Sequence, residues 1–223
     1  MPLPQLEPQS RIGDQVFEAI HGAIMGGNYP AGHRLRIRDV AAELGTSVMP
    51  VREAIRRLEE VGLVETLPNR GARVKGFTPA ELLHVYAVRR LLEIEASGLG
   101  AVQISDRDIA RLHEAYAAME SHLQAGEVVP YLEADERFLD VIYQAAGNPI
   151  LVETIHVLWQ RCRSYKIVGA SNELEHGNSD MLLTFQAQLL QAAIDRSSST
   201  ARELTAASLD AATDRIRQAL PEN

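Results

Sequence analysis

The stretch that follows Pro50 is where residue types and spacing point most clearly to chemistry. It carries three arginines, Arg52, Arg56 and Arg57. Guanidinium groups bind phosphate oxygens bidentately and can also read the N7 and O6 edge of guanine. Residues four apart are neighbours on a helix, so Arg52 and Arg56 would share one face. The opposite face would be apolar, with Val51, Ile55 and Leu58. The pattern predicts a helix that presents cations to a polyanion.

The start of this helix is marked by two residues. Ser47 is a candidate N-cap, and Pro50 falls in the first turn, where a missing N–H costs little because those donors have no intrahelical partner. An alternative interpretation is that the arginines only solvate an exposed face beside Glu53, Glu59 and Glu60, since mixed charge is common on helix surfaces. The neighbouring elements bear on this choice.

Those elements follow the order of a winged helix-turn-helix. A first helix should end at Gly26-Gly27, a turn contains Pro30 and Gly32, and a short second helix should end at Gly45. After Gly62, two short β-type runs flank residues 68–71 and predict a hairpin. In such a fold the second helix of the helix-turn-helix pair enters the major groove of DNA. The order therefore favours DNA binding over simple solvation.

The charge is distributed unevenly. The chain has 223 residues and a net charge of −8. Residues 1–76 hold 10 Lys+Arg against 9 Asp+Glu, whereas residues 77–223 hold 12 against 21. This asymmetry predicts two domains, 1–76 and 77–223, that have different partners.

From Thr78 onward the strand signals disappear and helical patterns follow one another, with N-cap signals at Thr78, followed by Glu81, and at Ser105, followed by Asp108. Five to seven helices with short connections predict an antiparallel bundle. One helix should run from Asn148-Pro149 to about Val168, and residues 169–180 are interpreted as a polar loop. The predicted fold class is mainly α, with an N-terminal winged helix-turn-helix followed by an all-helical antiparallel bundle.

Several function classes are disfavoured by composition. The only cysteine, Cys162, excludes an internal disulfide and fits a reducing cytoplasm. No apolar run approaches the roughly 18 residues of a membrane span, and the first residues lack the pattern of a signal peptide. We expect a cytoplasmic protein without a membrane partner.

The run from Leu35 to Val74 resembles a known family. Its segment "PVREAI", followed by "LE", "GLV", "RG" and a valine, is similar to the signature of the DNA-binding domain of GntR-type bacterial transcription regulators, and the resemblance covers residues 12–76. It implies that Arg38 and Arg52 lie at DNA and that Ser47 contacts the backbone or a base. It also implies that the wing tip, Arg70-Gly71, reaches the minor groove.

The tip of the predicted recognition helix departs from the family pattern. Family members usually have an arginine after the serine, whereas here Val48 and then Met49 follow Ser47. Arginine would read guanine, but valine offers only apolar contact, for example to a thymine methyl group. The DNA-binding residues are therefore predicted to be Arg38, Ser47, Val48, Met49, Arg52, Arg56, Arg70 and Gly71. We expect a homodimer on an imperfectly palindromic operator of different base preference.

Residues 78–220 resemble the helical effector domain of the FadR-like branch of this family, called the FCD domain. The resemblance rests on "VRRLLEIEASGLGA" and "DERFLDVIYQAAGNPIL". It implies a bundle that encloses a small-molecule pocket, usually for an organic acid. Arg89 matches an arginine that the family places in this pocket and could bind a carboxylate bidentately. Further candidates are Arg161, Arg163 and Tyr165, for which a surface position is an equally open alternative.

Many members of this branch bind a divalent metal through an aspartate, a histidine one turn later and two histidines on the last two helices. This chain has Asp135 at the first position, but Leu139, Gln186 and Ser208 at the others. A carboxylate, an amide and a hydroxyl form a poor site for a transition metal, which prefers imidazole. We predict no metal and no cofactor, and expect Gln186 and Ser208 to supply polar contacts. His156 stays the alternative ligand.

Together these features predict a ligand-responsive transcription regulator that acts by repression. One alternative is a regulator whose bundle only dimerises, because the residues that identify the sensor site have been replaced. Another is a helical-bundle enzyme that uses the carboxylate pairs Asp135-Glu136 and Asp106-Asp108. Such pairs usually belong to solvated helix faces, and no nucleophile-base arrangement accompanies them. We therefore predict that the protein is not an enzyme.

Overall fold

The computed structural model describes residues 10–67, 71–177 and 179–218. The chain divides into two compact units, the first ending at Gly76 and the second beginning at Phe77. Each unit has its own apolar core. The first is a winged helix-turn-helix and the second an antiparallel helical bundle, so the predicted fold class is confirmed.

The first unit contains three helices and three strands in its described residues. They are α1 (Ser10–Met25), β1 (Arg34–Leu35), α2 (Ile37–Glu43), α3 (Val48–Glu60), β2 (Val64–Leu67) and β3 (Gly71–Val74). The strands form an antiparallel sheet in the order β1-β3-β2. Strand β1 was not predicted, because it lies in the segment that was interpreted as a turn. It pairs antiparallel with β3, which is distant in sequence.

The predicted apolar face of α3 is buried against α1. Val51, Ala54 and Leu58 are fully buried and Ile55 is nearly so, and they join a core that α1 supplies with Val16, Ile20 and Ile24. Burying one such aliphatic side chain stabilises a fold by roughly 1.5–3 kcal/mol. Because one face of α3 is fixed in the core, the opposite face must point to solvent.

The second unit contains six helices in its described residues. They are α4 (Pro79–Gln103), α5 (Asp106–Gln124), α6 (Val128–Ala145), α7 (Pro149–Glu175), α8 (Ser179–Ile194) and α9 (Ser198–Gln218). Helix α4 packs on α9, α6 and α7. Within the described residues, each helix is too short or too polar to cross a membrane.

Three of these helices begin where the capping signals predict. Thr78 and Glu81 form a reciprocal capping box at the start of α4. The side chain of Ser105 caps α5, and that of Asn148 caps α7. These caps fix where each long helix enters the bundle, and thereby which of its side chains face the interior.

The predicted end of α7 was wrong. The helix does not stop near Val168 but continues to Glu175, so only a short connection separates it from α8. Ala170 and Leu174 pack against the largest apolar core of this unit along the extension. The polar residues between them resembled a loop in the sequence, but apolar contacts at helical spacing decide the structure.

Gly100 allows α4 and α6 to approach closely. A Cβ atom at this position would collide with the carbonyl oxygen of Ile142 on α6. Since Glu93 of α4 and Tyr143 of α6 are hydrogen-bonded, this close approach also brings the polar residues of the two helices together.

Candidate functional site

The first candidate site is the exposed start of α3 with the adjoining α2. We call it the α3 surface and define it by Arg38, Ser47, Val48, Met49 and Arg52, all of which are exposed. Met49 is 69% exposed although it is apolar, and it lies in the first turn of the helix. Burying this side chain against a partner would be favourable, since it has no core to pack on.

Ser47 occupies the predicted N-cap position but does not cap the helix with its side chain. Its backbone is extended, as expected for an N-cap, yet its hydroxyl makes no cap hydrogen bond. The first N–H groups of a helix have no intrahelical partners and favour an anion at this end. The Ser47 hydroxyl and the first amides of α3 are thus available to an external acceptor such as a phosphate.

The basic residues of this unit divide by their partners. Arg38 and Arg52 form no hydrogen bond or ion pair within the described part of the chain. Arg56 is paired with Glu60, 2.5 Å away, but both side chains are more than half exposed. Such a pair contributes little and can exchange for a phosphate. Three of the predicted DNA-binding arginines therefore remain able to meet an anion.

Arg57 has a different role. Its Nη1 donates to Asp14 Oδ1 at 2.7 Å, and its guanidinium lies 4.3 Å from the centre of the Phe17 ring. Both partners belong to α1, so Arg57 ties α3 to α1 by an ion pair and a cation–π contact. Arg57 therefore holds α3 against α1, and its guanidinium is not available to bind DNA.

The wing of the fold is the hairpin of β2 and β3. Gly71 begins β3 with a φ of +84°, and a Cβ atom there would collide with the carbonyl oxygen of Leu35, so the position requires glycine. Arg73 is paired with Glu65, directly opposite on β2. The predicted contact residue Arg70 lies outside the described residues, as do its neighbours Pro68 and Asn69.

The second candidate site lies inside the helical unit, where Arg89 meets Glu93. The two side chains are 5% and 2% exposed, and Arg89 Nε donates to Glu93 Oε1 at 2.7 Å. Burial alone would lower the pKa of Arg89, but the Glu93 carboxylate raises it well above its ordinary value. Arg89 also lies over the ring of Tyr86, at 4.5 Å. Its guanidinium is therefore already bound within the protein.

Glu93 is the acceptor at the centre of this arrangement. It receives hydrogen bonds from Tyr143 at 3.1 Å and from Trp159 Nε1 at 3.0 Å, in addition to those from Arg89. Burial and the neighbouring Glu93 carboxylate raise the pKa of Tyr143 well above its ordinary value, so its hydroxyl stays a donor. The carboxylate thus connects α4, α6 and α7.

Asp135 lies in an adjoining group of charges. Its two oxygens accept from Gln186 Nε2 at 2.8 Å and from Lys166 Nζ at 3.4 Å. Lys166 also donates to Glu136 at 3.1 Å, and Arg163 is 3.0 Å from the same Glu136 oxygen. Asp135 and Gln186, which the family resemblance places at two positions of one site, are hydrogen-bonded to each other.

The charges of this group stabilise one another in their ionised forms. Burial alone would lower the pKa of Lys166, but the carboxylates of Glu136 and Asp135 raise it above its ordinary value. Burial alone would raise the pKa of Glu136, but Lys166 and Arg163 lower it. We define the polar cluster as three cations and three carboxylates, namely Arg89, Arg163, Lys166, Glu93, Asp135 and Glu136.

The other predicted effector residues lie at varying distances from this cluster. Tyr165 is half-buried and contacts Tyr86 edge-on, so it is linked to Arg89 through that ring. Ser208 is half-buried on α9 and makes no hydrogen bond within the described residues. Arg161 is exposed, whereas Arg163, two residues later on α7, is buried. The structure does not bring Arg161 to the cluster.

The residues around Asp135 do not fit a divalent metal. Both oxygens of Asp135 accept from nitrogen donors, and Leu139, one turn later, packs on the core. His156 forms a hydrogen bond with Asp140 at 2.8 Å. Across the described ranges no group of three or more His, Cys, Asp or Glu side chains is arranged to hold a metal ion. An ammonium group has no lone pair for a metal, and Gln186 turns its NH2 group, not its carbonyl oxygen, to Asp135, so neither group is a ligand as it is placed here.

The sequence did not predict Glu93, Lys166 or a buried role for Arg163, and it offered Glu136 only as half of a carboxylate pair for an enzyme. Glu93 could have been found, since it lies four residues after Arg89 and an ion pair at this spacing was available. Lys166 had a weaker signal: it is one of only two lysines among 22 basic residues. Its contacts with α6 connect residues about 30 positions apart, and no local pattern predicts them.

Comparison with known proteins adds a consistent result for both units. Residues 12–74 match the family described as "Bacterial regulatory proteins, gntR family", and residues 84–211 match the FCD domain.

The chain is also similar to individual proteins. It is 33% identical over 135 residues to a helix-turn-helix transcriptional regulator encoded in the TAR-I ttuE-ttuC' intergenic region of Agrobacterium vitis, covering 59% of this chain and 79% of that protein. It is 23% identical over 154 residues to the transcriptional repressor RspR of Escherichia coli, covering 69% of this chain and 68% of that protein. The solved structure of E. coli McbR/YncC superposes with a TM-score of 0.78 at 25% identity, covering 93% and 97% of the two chains.

Proposed function

The chain belongs to the GntR family of bacterial regulatory proteins and carries an FCD domain, and from this premise we propose that it is a ligand-responsive transcriptional repressor. It is a transcription regulator and not an enzyme. In this proposal residues 1–76 bind DNA, residues 77–223 dimerise and bind a small organic acid, and the effector releases the protein from its operator in the cytoplasm. Repression is supported by the similarity to RspR, which is itself a repressor.

The proposal that the first unit binds DNA rests on the exposure of Arg38 and Arg52 and on their lack of an ion-pair partner. Both are exposed on the α3 surface without a partner in the described residues, beside a Ser47 hydroxyl that caps nothing. In a helix-turn-helix, the residues at the start of the second helix face base edges, and nearby basic groups bind phosphates. Arg52 would enter the major groove with Val48 and Met49, while Arg38 would bind the backbone.

Val48 should determine a base preference. It is exposed at the first position of α3, where it can contact a thymine methyl group but cannot donate to guanine. We expect Val48→Arg to shift the preferred base at one symmetric position of each half-site toward guanine, by about 1–3 kcal/mol. Selection from a pool of random duplexes with both proteins measures this change. Identical selected sequences would show that residue 48 does not face a base.

Homodimerisation is supported by apolar side chains that the helical unit leaves exposed. Val88 and Leu91 on α4 are 44% and 71% exposed, and Val157 and Val168 on α7 are 41% and 58% exposed. Helices α4 and α7 pack on each other, so these residues belong to neighbouring elements. A second copy that covered them would also pair two DNA-binding units, as a two-fold operator requires.

The effector would act on the polar cluster. Arg89 is the proposed anchor for its carboxylate, with Asp135, Tyr165, Gln186 and Ser208 as further contacts, and Arg161 as a more exposed one. Because Arg89 is already bound by Glu93, an incoming carboxylate must compete with that side chain. Exchange of the partner on α4 would change the contacts among α4, α6 and α7, and such differential contacts are what couple a ligand to a conformational equilibrium.

The second candidate is a regulator whose helical unit only dimerises. It is favoured by the polar cluster itself, because all its cations already have carboxylate partners. A thermal-shift screen of organic acids distinguishes the two candidates. An acid that raises the melting midpoint and weakens operator binding supports the sensor, whereas a screen without any stabilising acid supports dimerisation alone.

The DNA-binding proposal is tested by selecting random duplexes with the full chain and weighing the complex by light scattering. We expect two inverted half-sites and a mass of two chains on one duplex. Enrichment of no sequence, or a single chain on a single half-site, would contradict the proposal.

A further inference from the structure

Asp135 stands at the position where the family resemblance implies an aspartate metal ligand, but its partner here is an ammonium group. Lys166 Nζ is 3.4 Å from Asp135 Oδ2 and 3.1 Å from Glu136 Oε1, and the lysine side chain is only 12% exposed. We propose that Lys166 is the built-in cation of this site. It supplies the charge that holds the two carboxylates, so that the helical unit neither needs nor binds a divalent metal there. The proposal does not depend on the identity of the effector.

The hydrogen bonds around Asp135 support this assignment. One carboxylate oxygen accepts from Lys166 and the other from the Gln186 amide, so both point to donors. A divalent ion bound by Asp135 and Glu136 would lie beside the Lys166 ammonium and be repelled by it. Lys166 also lies 5.6 Å from the Trp159 ring, whose face favours a cation.

The charge balance of the polar cluster gives the proposal a quantitative form. Its three cations match its three carboxylates, and the further carboxylate near Arg163, that of Glu133 at 4.0 Å, is 56% exposed and therefore screened by water. Replacing Lys166 by a neutral residue leaves one buried negative charge in excess, which Arg163 cannot cancel because it already serves Glu136. Replacing Asp135 by asparagine in the same chain restores neutrality. A stability loss caused by charge must therefore be recovered in the double variant, whereas one caused by packing must not.

The first experiment uses the wild-type protein purified without chelators. We expect elemental analysis to find no stoichiometric metal, and expect neither EDTA nor Mn²⁺ to change the thermal midpoint. A stoichiometric metal, or a midpoint that EDTA lowers, would overturn the proposal. Operator binding is measured on the same samples, so that failure of this proposal is distinguished from failure of the DNA-binding one.

The second experiment compares Lys166→Met with the double variant Lys166→Met, Asp135→Asn. The single variant should lower the midpoint of the helical unit by roughly 6–12 °C, because it removes one partner of a buried ion pair. Mn²⁺ should raise that midpoint, since two carboxylates are then open to a cation that accepts oxygen ligands. In the double variant we expect at least half of the loss to be recovered and the response to Mn²⁺ to disappear.

Two controls complete the design. Lys75→Met removes the same charge from the other lysine, which is exposed in the first unit, and should leave the midpoint of the helical unit unchanged. Lys166→Arg keeps the charge, so its thermal midpoint should stay close to that of wild type. This variant tests the proposal even where Lys166→Met does not fold. A Lys166→Met midpoint equal to that of wild type, or a double variant no more stable than the single one, would contradict the proposal.

Discussion

The α3 surface and the polar cluster both concentrate basic side chains, but their cations have different partners. Arg38 and Arg52 are exposed and unpaired within the described residues. Arg89 is buried and Lys166 is only 12% exposed, and both are bound to carboxylates. A solvated, unpaired guanidinium can bind a phosphate without losing an existing ion pair. A buried guanidinium destabilises the fold unless a carboxylate compensates its charge. The comparison shows that burial and pairing, rather than the number of arginines, distinguish a surface for an external polyanion from an internal network.

Loss of the Glu93 carboxylate from the polar cluster should destabilise the protein most. Glu93→Ala should lower the free energy of unfolding of the helical unit by about 3–5 kcal/mol, because Arg89 is left buried without its carboxylate. The loss also removes the acceptor of Tyr143 and Trp159. Urea denaturation followed by the fluorescence of Trp159, the only tryptophan, reports this unit alone.

The matched control for Glu93→Ala is Glu95→Ala, two residues away on α4. Glu95 is exposed and paired with Arg202, so its loss should change the stability little. If the two variants lost the same stability, the buried network would have no special role.

A smaller effect is expected on the exposed side. Arg52→Ala should weaken operator binding by about 1–3 kcal/mol and leave the stability unchanged, since the side chain has no partner to lose in the described residues. Titration of operator DNA at fixed salt, together with urea denaturation, measures both quantities. A large loss of stability would show that Arg52 is structural, as Arg57 is.

The smallest change in operator affinity is expected from the partner of Arg56. This arginine is exposed like Arg52 but paired with a carboxylate like Arg89. Its pair with Glu60 is exposed, so Glu60→Gln should free Arg56 and strengthen operator binding by about 0.2–1 kcal/mol. In an Arg56→Ala background the same substitution should have less effect. Equal gains in the two backgrounds would mean that Glu60 acts on DNA by repulsion alone and does not compete for Arg56.

Much of the fold could be predicted because its signals are local. The caps at Thr78, Ser105 and Asn148 and the apolar face of α3 each depend on residues within one or two turns. Strand β1 could not be predicted in this way, because two residues become a strand only by pairing with β3, which lies almost 40 residues later. The predicted end of α7 was wrong for a similar reason. Leu174 packs on a core formed by residues distant in sequence, and the local polar pattern does not show this contact.

The candidate sites divide in the same manner. Arg52, Ser47 and Val48 could be proposed from the sequence because their spacing and helix position form a local motif, and their contact with DNA stays a prediction. Asp135 and Gln186 were paired only through the resemblance to a family, and Glu93 and Lys166 were missed. Glu93 and Lys166 form hydrogen bonds to residues of other helices, and these oppositely charged or polar partners come close only in the folded bundle.

The dependence of operator affinity on salt shows whether the unpaired arginines of the α3 surface bind DNA phosphates. Each phosphate contact releases counterions, so the slope of log affinity against log salt counts the cations at DNA. We expect Arg52→Ala to reduce this slope by about one, and Arg137→Ala, which removes an exposed arginine of α6 without a partner in the described residues, to leave it unchanged. Equal slopes for wild type and Arg52→Ala would show that Arg52 makes no phosphate contact.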